Sequence, residues 1–327
     1  MEDAAPQTGE LVIAGGEHIP VLLKAIEERL QSEAVGYGAP LQQFGEATIA
    51  AGGKRLRPLL LLLCAGPPQD ESQRDALIRA GAAIELIHSA TLVHDDVLDQ
   101  ADLRRGKPTV VSLAGREAAI STGDLLFARA FRLITESGDA EAVRLLSDAC
   151  SALARGELLQ RADSWNSAVT LERYLERCEL KTARLFEAAC AIAATITAEE
   201  DLQLASFGRR IGVAFQVLDD VLDVSGPAER TGKQRGTDLL DGTVTLPLII
   251  AREKDPAVAA LDLRSLSGAG EAESLCNQIA ATGALEESRA YALALVDQAK
   301  QALPIELDDR RRRSLELVAD SVVARYS

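Results

Sequence analysis

The sequence is poor in aromatic residues. Phe, Trp and Tyr make up 3% of its 327 residues, with one Trp and one Met. Its 47% hydrophobic share therefore comes mostly from Ala, Leu, Val and Ile. Alanine and leucine are the strongest helix formers, so the composition leans towards α. Positive charge is also in short supply. A net charge of −15 argues against nucleic acid as the main partner and against a broad basic face for anionic lipid. It leaves open small anionic substrates, which answer to local charge. The five cysteines (Cys64, Cys150, Cys178, Cys190 and Cys276) form no CxxC pair. In a chain of this length they read as buried, reduced thiols, which points to the cytoplasm. The opening MEDAAPQTGE lacks the apolar stretch of a signal peptide. The longest apolar run, near 59–66, is too short to span a bilayer, so no transmembrane segment is expected. There is no GxxxxGK[ST] loop, no Ser/His/Asp nucleophile set, no zinc-ligand spacing and no sustained strand alternation.

What is present is helical periodicity along most of the chain. It predicts helices near 17–31, 39–50, 57–66, 72–99, 117–135, 139–161, 170–197, 200–224, 245–254, 271–282, 285–302 and 308–325. Residues 1–16 read as a loose leader, and 17–327 as one all-α domain. A Gly- and charge-rich break at about 224–243 has the composition of a mobile lid. In two helices, Ala76–Val93 and the run ending FQVLDDVLD, the apolar residues continue almost all round, which suits the interior of a large bundle. Both end in the pentapeptide DDVLD, at 95–99 and at 219–223.

On a helix, positions i and i+4 share a face, so Asp95 pairs with Asp99 and Asp219 with Asp223. Carboxylates crowded against an apolar wall would take up protons unless a cation joins them. Magnesium fits, because it favours oxygen and is commonly held by one or two carboxylates plus substrate phosphates. Basic residues suited to diphosphate stand nearby in sequence: Lys54 and Arg57 in GGKRLRP, Arg104 and Arg105 in DLRRGKPT, Lys181 beside Thr182, and Lys233 in the candidate lid. Taken singly, each reads as a surface charge. His94 lies about 100° round the helix from Asp95 and reads as structural. His88, on pattern alone, reads as a hydrogen-bonded core histidine.

Taken together, GGKRLRP, LIHSATLVHDDVLDQADLRRGKPT, GDLLFARAF, KTARLF, FQVLDDVLD and GKQRGTDLLDGTVTLPL resemble the trans-isoprenyl diphosphate synthase (polyprenyl synthetase) family. They occur in the family's order from about 52 to 248. The resemblance implies an all-α isoprenoid synthase fold, a single bundle around a central cavity, usually homodimeric. It also implies head-to-tail condensation of isopentenyl diphosphate with an allylic diphosphate, using magnesium, three ions with substrate bound. By the same resemblance, Asp95, Asp99 and Asp219 bind metal, with Asp96, Asp220 and Asp223 as weaker contributors. Lys54, Arg57, His88 and Arg105 would hold isopentenyl diphosphate, so His88 becomes a ligand on the resemblance alone. Arg104, Lys181 and Lys233 would hold the allylic diphosphate, and Thr182 and Gln216 would face the developing cation. The family often has Lys after the acidic-Gly pair in the lid, where this chain has Thr243.

The growing tail is expected to run back along the first acidic helix. Each turn there spans about 5.4 Å, comparable to one isoprene unit. One turn back from Asp95 stand Ala90 and Thr91, both small, with Ile87 a turn deeper. In this family a bulky aromatic one turn back stops growth early, so its absence points to a product of geranylgeranyl length or longer. Phe127 and Phe131 could supply a deeper floor. A class I terpene cyclase would need a different second metal motif. A non-catalytic subunit of a heteromeric synthase should have lost carboxylates or basic residues, and this chain keeps both.

Overall fold

The chain is all-α in a computed structural model, which describes residues 14–198, 202–226 and 235–324. The helices are α1 (His18–Glu33), α2 (Leu41–Ala50), α3 (Leu56–Ala65), α4 (Glu71–Leu98), α5 (Val110–Thr135), α6 (Ala140–Asp163), α7 (Leu171–Cys178), α8 (Arg184–Thr197), α9 (Leu202–Ser225), α10 (Thr237–Leu240), α11 (Leu246–Lys254), α12 (Pro256–Ala260), α13 (Ala269–Ala281), α14 (Ala284–Gln301) and α15 (Asp309–Ala324). Between α4 and α5 lies a two-stranded antiparallel hairpin, β1 (Leu103–Arg104) with β2 (Lys107–Pro108).

The helix starts follow from side-chain caps. Asp70, Thr109 and Thr170 accept the N–H groups of Gln73, Ser112 and Arg173 at the starts of α4, α5 and α7. Periodicity locates most helices within a few residues. It misses the short α12, which has Pro at its first position and an Asp255 cap. It also starts α5 too late: the helix begins at Val110 and breaks at Gly115, whose φ of 84° favours glycine. The helix predicted over 170–197 is really α7 and α8 joined by a π turn, Glu179–Ala183.

The chain folds as two compact units. The first comprises the described residues of Met1–Asp148, Ala188–Ala205 and Pro304–Leu317, and the second those of Ala149–Glu187, Ser206–Leu303 and Val318–Ser327. In the first, α4 packs against α1, α3 and above all α5. Its Ala80, Ala82, Ala83, Ile84, Leu86, Ile87 and Ala90 are all fully enclosed, and so are Leu60–Leu62 of α3. Glu71–Leu98 is long and apolar enough to cross a membrane, but 67% of its most apolar window is buried inside the protein, as in a core helix. In the second unit the core is built from Tyr174, Phe207, Ile211, Ala214 and Val217, and from α11 and α14 through Leu246, Leu248, Ala292 and Val296. All five cysteines are free. Four are buried as expected, whereas Cys150 is half-exposed.

A buried carboxylate ties α1 to α5. Glu33, 2% exposed, accepts from Arg129 Nε at 2.6 Å and Arg132 Nη2 at 2.9 Å, and forms an ion pair with Arg29, whose Nε lies 2.9 Å from its Oε1. Burial of one anion is tolerated here because three guanidinium groups satisfy both of its oxygens. Replacing Glu33 with Ala leaves three packed cations with only Glu136, which pairs with Arg29 and Arg132 and not with Arg129. The expected loss is about 3 kcal/mol, read as a lower urea midpoint with an unchanged m-value.

Candidate active site

Towards its C-terminal end α4 is accessible on one side, apart from the half-buried His94 and the exposed Leu98. His88, Thr91, Leu92 and Asp95 are half-buried and Asp99 is exposed, while Ser89, Ala90, Val93, Asp96 and Val97 are buried. The spacing 88, 91, 92, 95, 99 traces one side of a helix. Asp95 and Asp99 thus share the accessible face, as their separation implies. Beneath this end lies a small apolar cluster of Val93, Val97, Val110 and Ala119. Asp96 turns the other way, into the fold, and its Oδ1 accepts from Arg104 Nε at 2.7 Å. That bond fixes the hairpin that carries Arg104 and Arg105 against the end of α4. The chain turns between them through Gln100, at φ 51°. Of the residues assigned to product length, Ile87 and Ala90 are fully enclosed and Thr91, Phe127 and Phe131 are half-buried. Leu92 was not anticipated. Its signal was its position, four residues past His88 and three before Asp95.

His94 is seated on α5. A Cβ at Gly123 would come within 2.2 Å of its Nε2, which lies 3.3 Å from the Ile120 carbonyl, and its ring centroid is 5.6 Å from that of Phe127. It packs sideways, as its angle to Asp95 implies.

Behind the carboxylates lies a region of positive potential. Burial holds the His88 imidazole well below its ordinary pKa, and the charges of Arg57, Arg105, Arg104 and Arg55 add to the effect. His88 is therefore neutral near pH 7, a hydrogen-bonding group among cations. Burial also brings Arg57 down to about 10, against the pull of Glu85. A site with this field suits an anion. Arg57, His88 and Arg105 share it, and Lys54 stands exposed in the turn that leads to Arg57. Sequence reasoning missed Arg55, which holds that turn. At φ 49°, it donates from Nε to Glu27 Oε2 at 2.9 Å, from Nη1 to Glu85 Oε1 at 2.8 Å and from Nη2 to the Ile49 carbonyl at 3.2 Å.

The second DDVLD, in the second unit, repeats the inward turn. Asp219 is exposed and Asp223 half-buried, while Asp220 is buried. Both Asp220 oxygens are taken: Tyr174 Oη donates to Oδ2 at 2.6 Å and Gln216 Nε2 donates to Oδ1 at 2.8 Å. Burial raises its pKa to about 7, helped by the charge of Asp238 and opposed by Arg177, Tyr174 and Gln216. Arg177 is itself buried, over the Tyr174 ring, and donates to the Val244 carbonyl at 2.7 Å. Thr182 Oγ1 donates to Gln216 Oε1 at 2.7 Å, so these two predicted neighbours do meet. Lys181 is engaged by Glu157 Oε2 at 2.5 Å and Gln160 Oε1 at 3.2 Å. Asp223 Oδ2 accepts the Asp238 N–H at 3.2 Å, which ties α9 to α10. Thr243, just past α10, is buried. Lys233 lies outside the described residues.

Among the described residues no three acidic, His or Cys side chains converge as a preformed metal cage. The i, i+4 pairs on each helix still suit magnesium, which takes few protein oxygens and completes its shell with water and phosphate. Burial pushes the thiols of Cys150 and Cys276 up to about 12 and about 11, so neither is a ready nucleophile.

Comparison with known proteins agrees with this arrangement. Residues 39–281 match the family Polyprenyl synthetase. The octaprenyl diphosphate synthase of Escherichia coli is 36% identical over 308 residues, covering 92% of this chain and 94% of that one. Component 2 of the heptaprenyl diphosphate synthase of Geobacillus stearothermophilus is 37% identical over 285 residues, covering 86% and 88%. Among solved structures, a polyprenyl synthase from Caulobacter crescentus complexed with calcium and isoprenyl diphosphate superposes with a TM-score of 0.87 at 33% identity, covering 98% of each chain. The all-α architecture, the two acidic helix ends and these matches agree, and the chain belongs to the polyprenyl synthetase family, as a prenyl diphosphate synthase that transfers prenyl groups.

Proposed function

We propose that the enzyme condenses isopentenyl diphosphate head to tail with an allylic diphosphate to give a trans-polyprenyl diphosphate of geranylgeranyl length or longer. The observation that carries this reading is the face of α4, where Asp95 and Asp99 stand beside a neutral His88 set in the field of four arginines. One surface thus offers oxygen ligands for a cation and a cationic seat for a diphosphate. On this reading residues 17–327 act as one catalytic domain with a lid at about 224–243, of which 227–234 lie outside the described residues.

Lys54, Arg57, His88 and Arg105 hold isopentenyl diphosphate. Arg104, Lys181 and Lys233 hold the allylic diphosphate, and for Lys181 this means leaving Glu157. Magnesium, held by Asp95, Asp99 and Asp219 as three ions with substrate bound, would neutralise the charge that gathers on the leaving diphosphate. Asp223 assists from the second cluster, and Asp96 and Asp220 support their neighbours from inside the fold. The arginines and lysines stabilise the same negative charge as the allylic C–O bond breaks and its electron pair leaves with oxygen. Gln216 and Thr182 face the allylic cation, and the apolar surroundings keep water from it. The isopentenyl double bond then supplies the electrons of the new C–C bond, and a proton passes to the released diphosphate. The Caulobacter structure with isoprenyl diphosphate and calcium supports both the ligand class and a divalent ion. We place the enzyme in the cytoplasm as a homodimer. A name such as component 2 favours a second reading, in which a partner subunit is required.

The test is purified protein with isopentenyl diphosphate, a series of allylic primers and magnesium, followed by chromatography of the products. Elongated prenyl diphosphates from this chain alone support the proposal. Turnover only after addition of a second subunit supports the other reading. Asp95→Ala and Asp219→Ala should each lower condensation by about a thousandfold with unchanged circular dichroism, and near wild-type turnover in either would sink the assignment. Product length gives a second prediction. Thr91 lies on the accessible face and Ala90 does not. Thr91→Phe should therefore shorten the products, while Ala90→Phe should cost about 1–3 kcal/mol through overpacking. An unchanged length distribution in Thr91→Phe would remove α4 as the wall of the tail site.

A further inference from the structure

The π turn at Glu179–Ala183 sits between two helices that come unusually close to it. A Cβ at Gly156, on α6, would lie 2.5 Å from Lys181 N and 2.9 Å from the Leu180 carbonyl carbon. A Cβ at Gly212, on α9, would lie 2.5 Å from Ala183 Cα and 3.0 Å from its Cβ. These are mostly backbone atoms and cannot swing aside. Both glycines sit within helices, so neither is there for its torsion angles. Only the close approach explains them.

The turn has a geometric effect. Gln216 and Asp220 are i and i+4 on α9 and share one face. Their partners across the gap, Thr182 and Tyr174, are eight residues apart. In an unbroken helix eight residues turn through about 800°, which leaves the two side chains about 80° apart. A π turn absorbs one extra residue, so the separation counts as about seven, within about 20° of two full turns. Tyr174 and Thr182 then face α9 together, and the chain of hydrogen bonds Tyr174–Asp220–Gln216–Thr182 closes at 2.6, 2.8 and 2.7 Å. Each donor in it points towards the Asp220 carboxylate. While Asp220 is ionised, the Gln216 amide cannot flip without setting its carbonyl against that carboxylate. Thr182 gives its proton to Gln216, so its oxygen can act only as an acceptor towards any further partner.

We propose that Tyr174, Gly156 and Gly212 are positioning residues for the ionisation step: the two glycines hold the π turn open, and Tyr174 anchors the chain that orients Gln216 and Thr182. The inference rests on the prenyl-transfer reading above. None of the three touches substrate. All act through Thr182 and Gln216, whose aligned dipoles put partial negative charge where the allylic cation develops.

A double-mutant cycle on turnover tests it. Tyr174→Phe and Thr182→Val should each lower kcat about tenfold, with KM for both diphosphates changed less than twofold. The double variant should be no slower than the slower single one, because each break disables the same chain. Gly212→Ala and Gly156→Ala should give the same kcat loss if they fold, as thermal melting will show. If neither folds, the Tyr174/Thr182 cycle decides alone. Multiplicative losses in that cycle, a loss confined to KM, or wild-type turnover in a folded glycine variant would overturn the proposal. A wild-type chain that transfers no prenyl group overturns the parent reading and this one together. An active wild type with multiplicative losses overturns this one alone.

Discussion

An α-helix turns about 100° per residue, so a run of acidic residues cannot all face the same way. In DDVLD the first and last carboxylates share a side and the second must point elsewhere. In both copies that second residue goes inward. Asp96 meets Arg104 and Asp220 meets Tyr174 and Gln216. The inward residue fixes the structure beside the outward pair: the arginine hairpin after the first cluster, the amide and hydroxyl group beside the second. A buried carboxylate is acceptable only with its oxygens satisfied, so each anchor is also a demand on its neighbours.

A second physical theme is the separation of global from local charge. The chain carries −15 overall, yet at His88 burial keeps the ring neutral and the charges of four arginines add to the effect. Four guanidinium groups near one imidazole would repel one another without internal anions. Glu27 and Glu85 supply these to Arg55 and Asp96 supplies one to Arg104.

Much of the site was legible because it is written in residue types at fixed spacing. The paired carboxylates and the basic residues of GGKRLRP and DLRRGKPT bear chemistry that their letters announce, whereas Thr182 and Gln216 came only with the family resemblance. The unread part is written in backbone geometry. The π turn has no composition of its own, so a continuous helix over 170–197 was the natural reading. Gly156 and Gly212 were the available signal, since a glycine inside a helix costs about 1 kcal/mol relative to alanine and calls for a reason. Arg55 was hidden between two residues of better-known role, and only its left-handed torsion and two glutamate partners reveal it. Tyr174 could not be linked to Asp220 from spacing, because 46 residues separate them. Ala90 and Thr91 look alike in sequence, and burial alone tells them apart.

The ion pair between Lys181 and Glu157 has one further consequence. Glu157 is only 14% exposed and also bonds Arg161, so it is a well-held rival for the lysine. Any anion that recruits Lys181 must displace an internal carboxylate first. A weakly charged anion such as inorganic phosphate gains little from that exchange, whereas a diphosphate bearing several negative charges gains more. On the proposed reading, the glutamate thus sets an entry threshold for any anion that draws on Lys181.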